Sequence, residues 1–99
     1  MVAELRFEWD VAKARTNRKR HGVSFQEARS VFLDDNALLI DDPDHSVQEF
    51  RFLLLGISAH LRTLVVCHCC RDRGNVIRII SARKADRSER ALYSKGLSR

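Results

Sequence analysis

The sequence has little of what membrane, secreted or disulfide-stabilised proteins require. No stretch reaches the roughly 18 apolar residues of a membrane-spanning helix, and the N-terminus lacks the charged and then apolar run of a secretory signal. The three cysteines among 99 residues cluster at positions 67, 69 and 70. An odd, clustered set does not predict a disulfide framework and suits a reducing compartment. We therefore expect a cytoplasmic protein with no membrane contact.

The cysteine cluster also lacks the spacing of a metal site. Tetrahedral zinc sites usually combine Cys pairs about two to four residues apart with a second such pair elsewhere, which this chain does not have. Alternation along a strand would send Cys67 and Cys69 to one face and His68 and Cys70 to the other. We expect no metal and no cofactor, with the cysteines packing as small hydrophobic side chains.

The length predicts one domain, residues 1–99, without repeat or linker. Lysine and arginine number 18 against 13 aspartate and glutamate, which gives a formal net charge of +5. A basic surface attracts polyanions, so nucleic acid is a candidate partner. The basic residues form two blocks, which would make one patch if they meet, and an acidic belt between them that could face a basic partner: Lys13, Arg15, Arg18, Lys19 and Arg20; Arg71, Arg73, Arg78, Arg83, Lys84, Arg87 and Arg90; and Asp34, Asp35, Asp41, Asp42, Asp44 and Glu49.

Local signals predict three helices. Asp10 is placed to cap a helix from Val11 to His21, and Gly22 to end it. Ser24 and Glu27 have the spacing of a reciprocal capping box for a second helix to about Leu33. A third helix begins after the cap signal Asp86-Arg87-Ser88-Glu89 and could end at Gly96. The first two also resemble a helix-turn-helix, but the apolar stripe of the second argues against its entering a DNA groove.

Alternating apolar segments predict the strands. Leu5 to Trp9 comes before the helices, and the segments from Ala37 to Ile40, Phe50 to Ile57, Arg62 to Cys69 and Val76 to Ala82 follow them. Because the loops between these segments are short, they favour an antiparallel meander. The order β-α-α-β-β-β-β-α indicates an α+β fold with the helices packed on one face of the sheet.

A pairing argument places charged side chains together on this sheet. If residues 58–61 form the loop of the second hairpin, Arg51 lies opposite His68. If residues 71–75 form the next loop, His68 faces Arg78, within an otherwise apolar strand. The result is an Arg-His-Arg row across three strands. A slip of one residue in either register would move a member to the other face.

Such a row suits cleavage of RNA without a metal. His68 can move a proton near neutral pH, and guanidinium groups can hold phosphate oxygens and stabilise the phosphorane charge. The proposed cations are Arg51, Arg78 and Arg83, with Glu49 or His45 as the second proton-transfer group. In the alternative interpretation, the arginines pair with the acidic belt and His68 is an ordinary sheet residue, because structural ion pairs resemble such sites.

Several motifs together resemble the BrnT toxins of bacterial type II toxin–antitoxin systems over nearly the whole chain. They are Phe7-Glu8-Trp9-Asp10 with Lys13, His21-Gly22-Val23-Ser24-Phe25-Gln26-Glu27-Ala28, Asp42-Pro43-Asp44-His45-Ser46, Glu49, Arg51-Phe52, and Ile77-Arg78-Ile79-Ile80-Ser81-Ala82-Arg83-Lys84-Ala85 with Glu89, Arg90 and Tyr93. The resemblance implies a RelE-like fold and a ribonuclease that blocks translation. It also implies neutralisation by a BrnA-type antitoxin, in a heterotetramer of two toxins and two antitoxins that binds its own operator DNA.

Carried over residue by residue, the resemblance favours Arg51, His68, Arg78 and Arg83 for catalysis. Arg20 stands where the family generally shows lysine; an arginine keeps a phosphate contact but is a far poorer proton donor. The residues expected to contact RNA are Arg20, Lys19, Lys84 and His45. A second hypothesis is a weakly active or inactive basic module that acts through its protein partner or DNA.

Overall fold

The fold is that of a computed structural model, which describes residues 5–41 and 51–97. The elements in chain order are β1 (Arg6–Glu8), α1 (Val11–His21), α2 (Phe25–Ser30), a 3-10 turn (Val31–Leu33), β2 (Leu38–Asp41), β3 (Arg51–Ile57), β4 (Thr63–Arg71), a second 3-10 turn (Asp72–Gly74), β5 (Val76–Lys84) and α3 (Arg87–Leu97). Their order is the predicted one. None of the described helices is long and apolar enough to cross a membrane. The predicted site residues His45 and Glu49 lie outside the described residues.

The starts of α1 and α2 follow the predicted local signals. Asp10 accepts a hydrogen bond from the Lys13 N–H at 3.0 Å, and Ser24 Oγ accepts one from the Glu27 N–H at 3.0 Å. Gly22 ends α1 in the left-handed conformation, with φ 70°. The capping box predicted a second hydrogen bond, from the Ser24 N–H to the Glu27 carboxylate, and this bond does not form. The Glu27 carboxylate is buried and binds groups of the β3–β4 hairpin, because that hairpin brings cationic and hydroxyl donors to α2.

The third helix carries the reciprocal capping box. Glu89 donates its N–H to Asp86 Oδ1 at 2.8 Å, and its carboxylate accepts from the Asp86 N–H at 2.9 Å. The helix continues through Gly96, which was expected to end it. A Cβ at Gly96 would lie 3.7 Å from the methyl carbons of Leu38, so this end of α3 lies beside the edge strand β2.

The sheet has the strand order β1-β5-β4-β3-β2. Strands β2 to β5 form the predicted antiparallel meander. Strand β1 differs because it joins the edge of β5 in parallel, with Glu8 opposite Arg78. A parallel pair needs a long crossover, and here the whole chain from α1 to β4 separates the two strands.

The helices pack on both faces of the sheet, which corrects the expectation that they share one. Helix α2 packs with Phe25 and Ala28 against Leu54, Val66 and their neighbours on one face. Helix α3 places Tyr93 on the other face, where Leu55 and Val65 are buried with it. The consecutive leucines of β3 explain this, since an unbroken apolar run supplies both faces of a strand with core residues. The face of the sheet that α2 covers is called the α2 face below, and the face that α3 covers is called the α3 face.

Candidate active site

Arg51, Cys69 and Arg78 form a row across three neighbouring strands. Arg51 of β3 pairs with Cys69 of β4, and Cys69 pairs with Arg78 of β5. Directly paired residues share a face, so both guanidinium groups lie on the α3 face. Two strand spacings put their backbones about 10 Å apart. The row lies toward the ends of these strands, away from the part covered by α3. The sequence thus predicted the two arginines of the row correctly.

The middle member of the row was predicted wrongly. Both registers are displaced by one residue from the expected ones, so Cys69 occupies the place assigned to His68. In the β3–β4 hairpin, the loop is one residue longer than expected, and the Ser58 N–H bonds to the Arg62 carbonyl at 2.9 Å. In the β4–β5 hairpin, Arg71 pairs with Val76, so the loop is one residue shorter than expected; a bulge beside Cys67 and His68 lies farther along the ladder and does not affect the Cys69–Arg78 pair. Both displacements move the pairing from His68 to Cys69. Arg51 and Arg78 therefore still lie opposite the same residue of β4, and only His68 leaves the row.

His68 lies on the α2 face, pairs with Phe52 and Ile79, and is only 3% exposed. Its ring packs edge-on against Phe32 at 4.9 Å between centroids. Burial lowers the pKa of His68, because charging an imidazole among apolar groups is costly. The structure therefore does not bring His68 to the arginines, and a proton-transfer role for it stays a prediction that its burial disfavours.

Arg78 has a carboxylate partner that the sequence reasoning missed. Glu8 Oε2 accepts a hydrogen bond from Arg78 Nη1 at 2.7 Å and lies 3.8 Å from Arg71 Nη1. The side chain of Glu8 is 40% exposed, and that of Arg78 is 29% exposed. Parallel pairing of β1 with β5 creates this contact, and nothing in the sequence discloses that pairing. The motif that contains Glu8 contributed to the family resemblance but gave it no role.

Arg83 also lies on the α3 face, where it is held by α3. It makes a bidentate pair with Glu89, with Nη1–Oε1 and Nη2–Oε2 distances of 2.7 and 2.9 Å. These hydrogen bonds raise the pKa of Arg83 and lower that of Glu89. A phosphate bound by Arg83 would have to share the guanidinium with Glu89. Lys84 is exposed and belongs to the α2 face by alternation.

Helix α1 lies along the part of β5 that does not pair with β1, where the Asn17 side chain bonds to the backbone of Ala82. Lys13, Arg20 and His21 of α1 line a groove of about 310 Å³ with Ile80 and Ser81 of β5. None of the three makes an ion pair within the described part of the chain. Lys19 is exposed on the same helix but does not line the groove.

This groove continues toward the arginine row. Glu8 of β1 pairs with Arg78, and α1 begins only three residues later at Val11. The start of α1 therefore lies close to Arg78. The groove and the row form one basic region that passes from the α3 face around the edge of the sheet.

The cysteines are arranged as alternation predicts. Cys67 and Cys69 are buried on the α3 face, while His68 and Cys70 belong to the α2 face. Within residues 5–41 and 51–97, no three His, Cys, Asp or Glu side chains are grouped so that they could hold a metal ion. In the described row, the guanidinium of Arg78 lies beside the carboxylate of Glu8.

Comparison with known proteins agrees with the resemblance. The sequence model of one family, described as the ribonuclease toxin BrnT of type II toxin–antitoxin systems, matches residues 9–89. The crystal structure of the Brucella abortus ribonuclease toxin, BrnT, is similar in fold, with a TM-score of 0.64 and 20% sequence identity over 84% of this chain and 99% of that one. Comparison with curated protein sequences gives no match.

Proposed function

The chain belongs to the BrnT family of ribonuclease toxins of type II toxin–antitoxin systems. We propose that it is a metal-independent endoribonuclease, which cleaves RNA at internal positions through the 2′-hydroxyl. The arginine row carries this proposal. Arg51 and Arg78 present two planar donor groups on one face, and guanidinium forks match phosphate oxygens bidentately. Cations placed there can bind the substrate phosphate and stabilise the charge that develops on it in the transition state.

The remaining basic residues support a longer RNA-binding surface. We propose that Arg83 and the groove residue Arg20 contact phosphates that flank the cleaved one. Lys19 and Lys84, which are exposed, would add long-range attraction to the RNA. The predicted contributions of His45 and Glu49 belong to the same proposal, although these residues lie outside the described part of the chain.

We further propose that a BrnA-type antitoxin neutralises the protein by covering this basic region, in a complex of two toxins and two antitoxins that binds operator DNA. The cations Lys13 and Arg20 of the groove, which make no ion pair within residues 5–41 and 51–97, support an acidic or polyanionic partner. RNA and antitoxin should then compete. A titration in which labelled RNA remains bound as antitoxin saturates the toxin would contradict shared use of this surface.

A direct assay tests the ribonuclease proposal. The protein, freed of antitoxin, is incubated in EDTA with a defined RNA and with DNA of the same sequence, alongside Arg78→Ala and Arg29→Ala. Arg29 is a matched control because it is exposed on α2, on the other side of the sheet. We expect cleavage of RNA alone, a loss of about 10²–10³-fold in Arg78→Ala, and parental activity in Arg29→Ala.

One observation favours the alternative of a weakly active interaction module. Arg78 and Arg83 each have a carboxylate partner within the protein, as structural ion pairs would. In that case the RNA would stay intact with the parent protein and all variants, while antitoxin binding would be strong. A translation assay on ribosomes would then separate a ribosome-dependent toxin from an inactive module.

A further inference from the structure

Glu8 lies where a proton acceptor is needed beside the arginine row. Its Oε2 atom is 2.7 Å from one guanidinium and 3.8 Å from another, those of Arg78 and Arg71. A phosphate bound by Arg78 would therefore lie next to this carboxylate. The 2′-hydroxyl that attacks the phosphorus in RNA cleavage is adjacent to the same phosphate. The carboxylate is also accessible, with 40% of the side chain exposed.

Six other described carboxylates already have structural roles. Asp10 and Asp86 cap helices, Glu27 and Asp34 hold buried donors, Glu89 holds Arg83 and Asp72 pairs with Arg6 in a turn. Guanidinium groups cannot accept a proton at physiological pH. Cys69, the middle residue of the row, is only 5% exposed. Among the described residues of this region, Glu8 thus combines accessibility, an acceptor oxygen and contact with Arg78.

We propose that Glu8 is the general base of the reaction, an inference that rests on the proposed ribonuclease function. A carboxylate oxygen of Glu8 takes the proton of the 2′-hydroxyl as the 2′-oxygen forms a bond to phosphorus. The bond from phosphorus to the 5′-oxygen breaks, and that oxygen takes a proton from water. The hydroxide left behind removes the proton from Glu8. The products are a 2′,3′-cyclic phosphate and a 5′-hydroxyl, while Arg78 holds the nonbridging oxygens throughout.

The test compares cleavage rates over pH for the parent, Glu8→Gln and two further variants. Glu8→Gln keeps an oxygen that can accept from Arg78 but cannot take a proton. Asp72→Asn makes the same change at the neighbouring carboxylate that pairs with Arg6, and Glu49→Gln tests one of the two residues suggested from the sequence as the second proton-transfer group. Affinity is measured with RNA that carries a single 2′-deoxy substitution at the cleavage position, since this probe binds but cannot react.

We expect Glu8→Gln to lose about 10²–10⁴-fold in rate and the acidic limb of its pH profile, with affinity for the probe within about threefold of the parent. Asp72→Asn should keep the parental profile. In Glu8→Ala, added formate should restore part of the rate in proportion to its concentration. This rescue separates proton transfer from a role in folding.

Three results would overturn the inference. The first is a parental rate in Glu8→Gln. The second is a loss in which affinity falls as much as rate and the pH profile keeps its shape, since Glu8 would then only position Arg78. The third is loss of the acidic limb in Glu49→Gln but not in Glu8→Gln. Failure of the parent protein to cleave RNA is a separate outcome, which would overturn the proposed function and this inference with it.

Discussion

Replacing Arg62 by methionine should strongly destabilise the fold, because it removes the partner of a buried carboxylate. Arg62 Nε donates to Glu27 Oε2 at 2.9 Å, and a second guanidinium nitrogen pairs with Glu27 Oε1. The side chain of Glu27 is 5% exposed and that of Arg62 is 33% exposed. The pair joins α2 to the β3–β4 hairpin, so its loss weakens the attachment of the helix to the sheet.

The expected cost follows from what remains around Glu27. Removing one partner of a buried ion pair costs about 3–5 kcal/mol. The value should lie near the lower end here, about 3 kcal/mol, because Arg62 is partly solvated and Ser58 Oγ still donates to Glu27 at 2.7 Å. The double variant Glu27→Gln/Arg62→Met should recover part of this loss, since no uncompensated charge stays buried.

Urea unfolding followed by circular dichroism measures the effect, with Arg29→Met as the control on the exposed side of α2. Hydrogen bonds from Arg62 lower the pKa of Glu27. The contribution of the pair is therefore complete above the pKa of the unfolded carboxyl and disappears as the pH falls through the folded value. The difference between the stabilities of parent and variant should therefore narrow as the pH falls below the ordinary range of a glutamate carboxyl. A loss below about 1 kcal/mol at neutral pH, or a difference independent of pH, would refute the reasoning.

Three further changes test other parts of the fold. Asn17→Ala should cost about 3 kcal/mol and speed amide exchange at Ala82, because the Asn17 side chain satisfies both backbone groups of Ala82 at 2.9 and 3.1 Å; unchanged exchange would contradict this role. Gly56→Ala should cost about 1–3 kcal/mol in urea unfolding, since a Cβ there would lie 2.9 Å from Val31 Cγ1; parental stability would show that the site relaxes. Because burial lowers the pKa of His68, the parent should lose stability as the pH falls from about 6.5 toward the folded value, and His68→Leu should lose less. If the urea midpoint fell equally in the parent and in His68→Leu between neutral and mildly acidic pH, the buried position of the ring would be disproved.

Much of the local structure was predictable from the sequence. The caps Asp10, Ser24 and Asp86 and the left-handed Gly22 depend on hydrogen bonds between residues a few positions apart. Such signals act before any tertiary contact forms, and the strand segments follow from alternation in the same way. The partner of Glu27 was not predictable, because Arg62 lies 35 positions away and meets it only after the hairpin packs on α2.

The row of Arg51, Cys69 and Arg78 was likewise predictable only in part. The sequence by itself determined that β3 and β5 each carry an arginine within an apolar strand, and the short loops determined that these strands flank β4. Only the tertiary structure decided which residue of β4 stands between them. A β3–β4 loop that is one residue longer than expected and a β4–β5 loop that is one residue shorter set that register, and one position is enough to exchange a buried thiol for an imidazole. The carboxylate beside Arg78 was decided in the same way, because pairing between β1 and β5 joins segments about 70 residues apart and leaves no local signal.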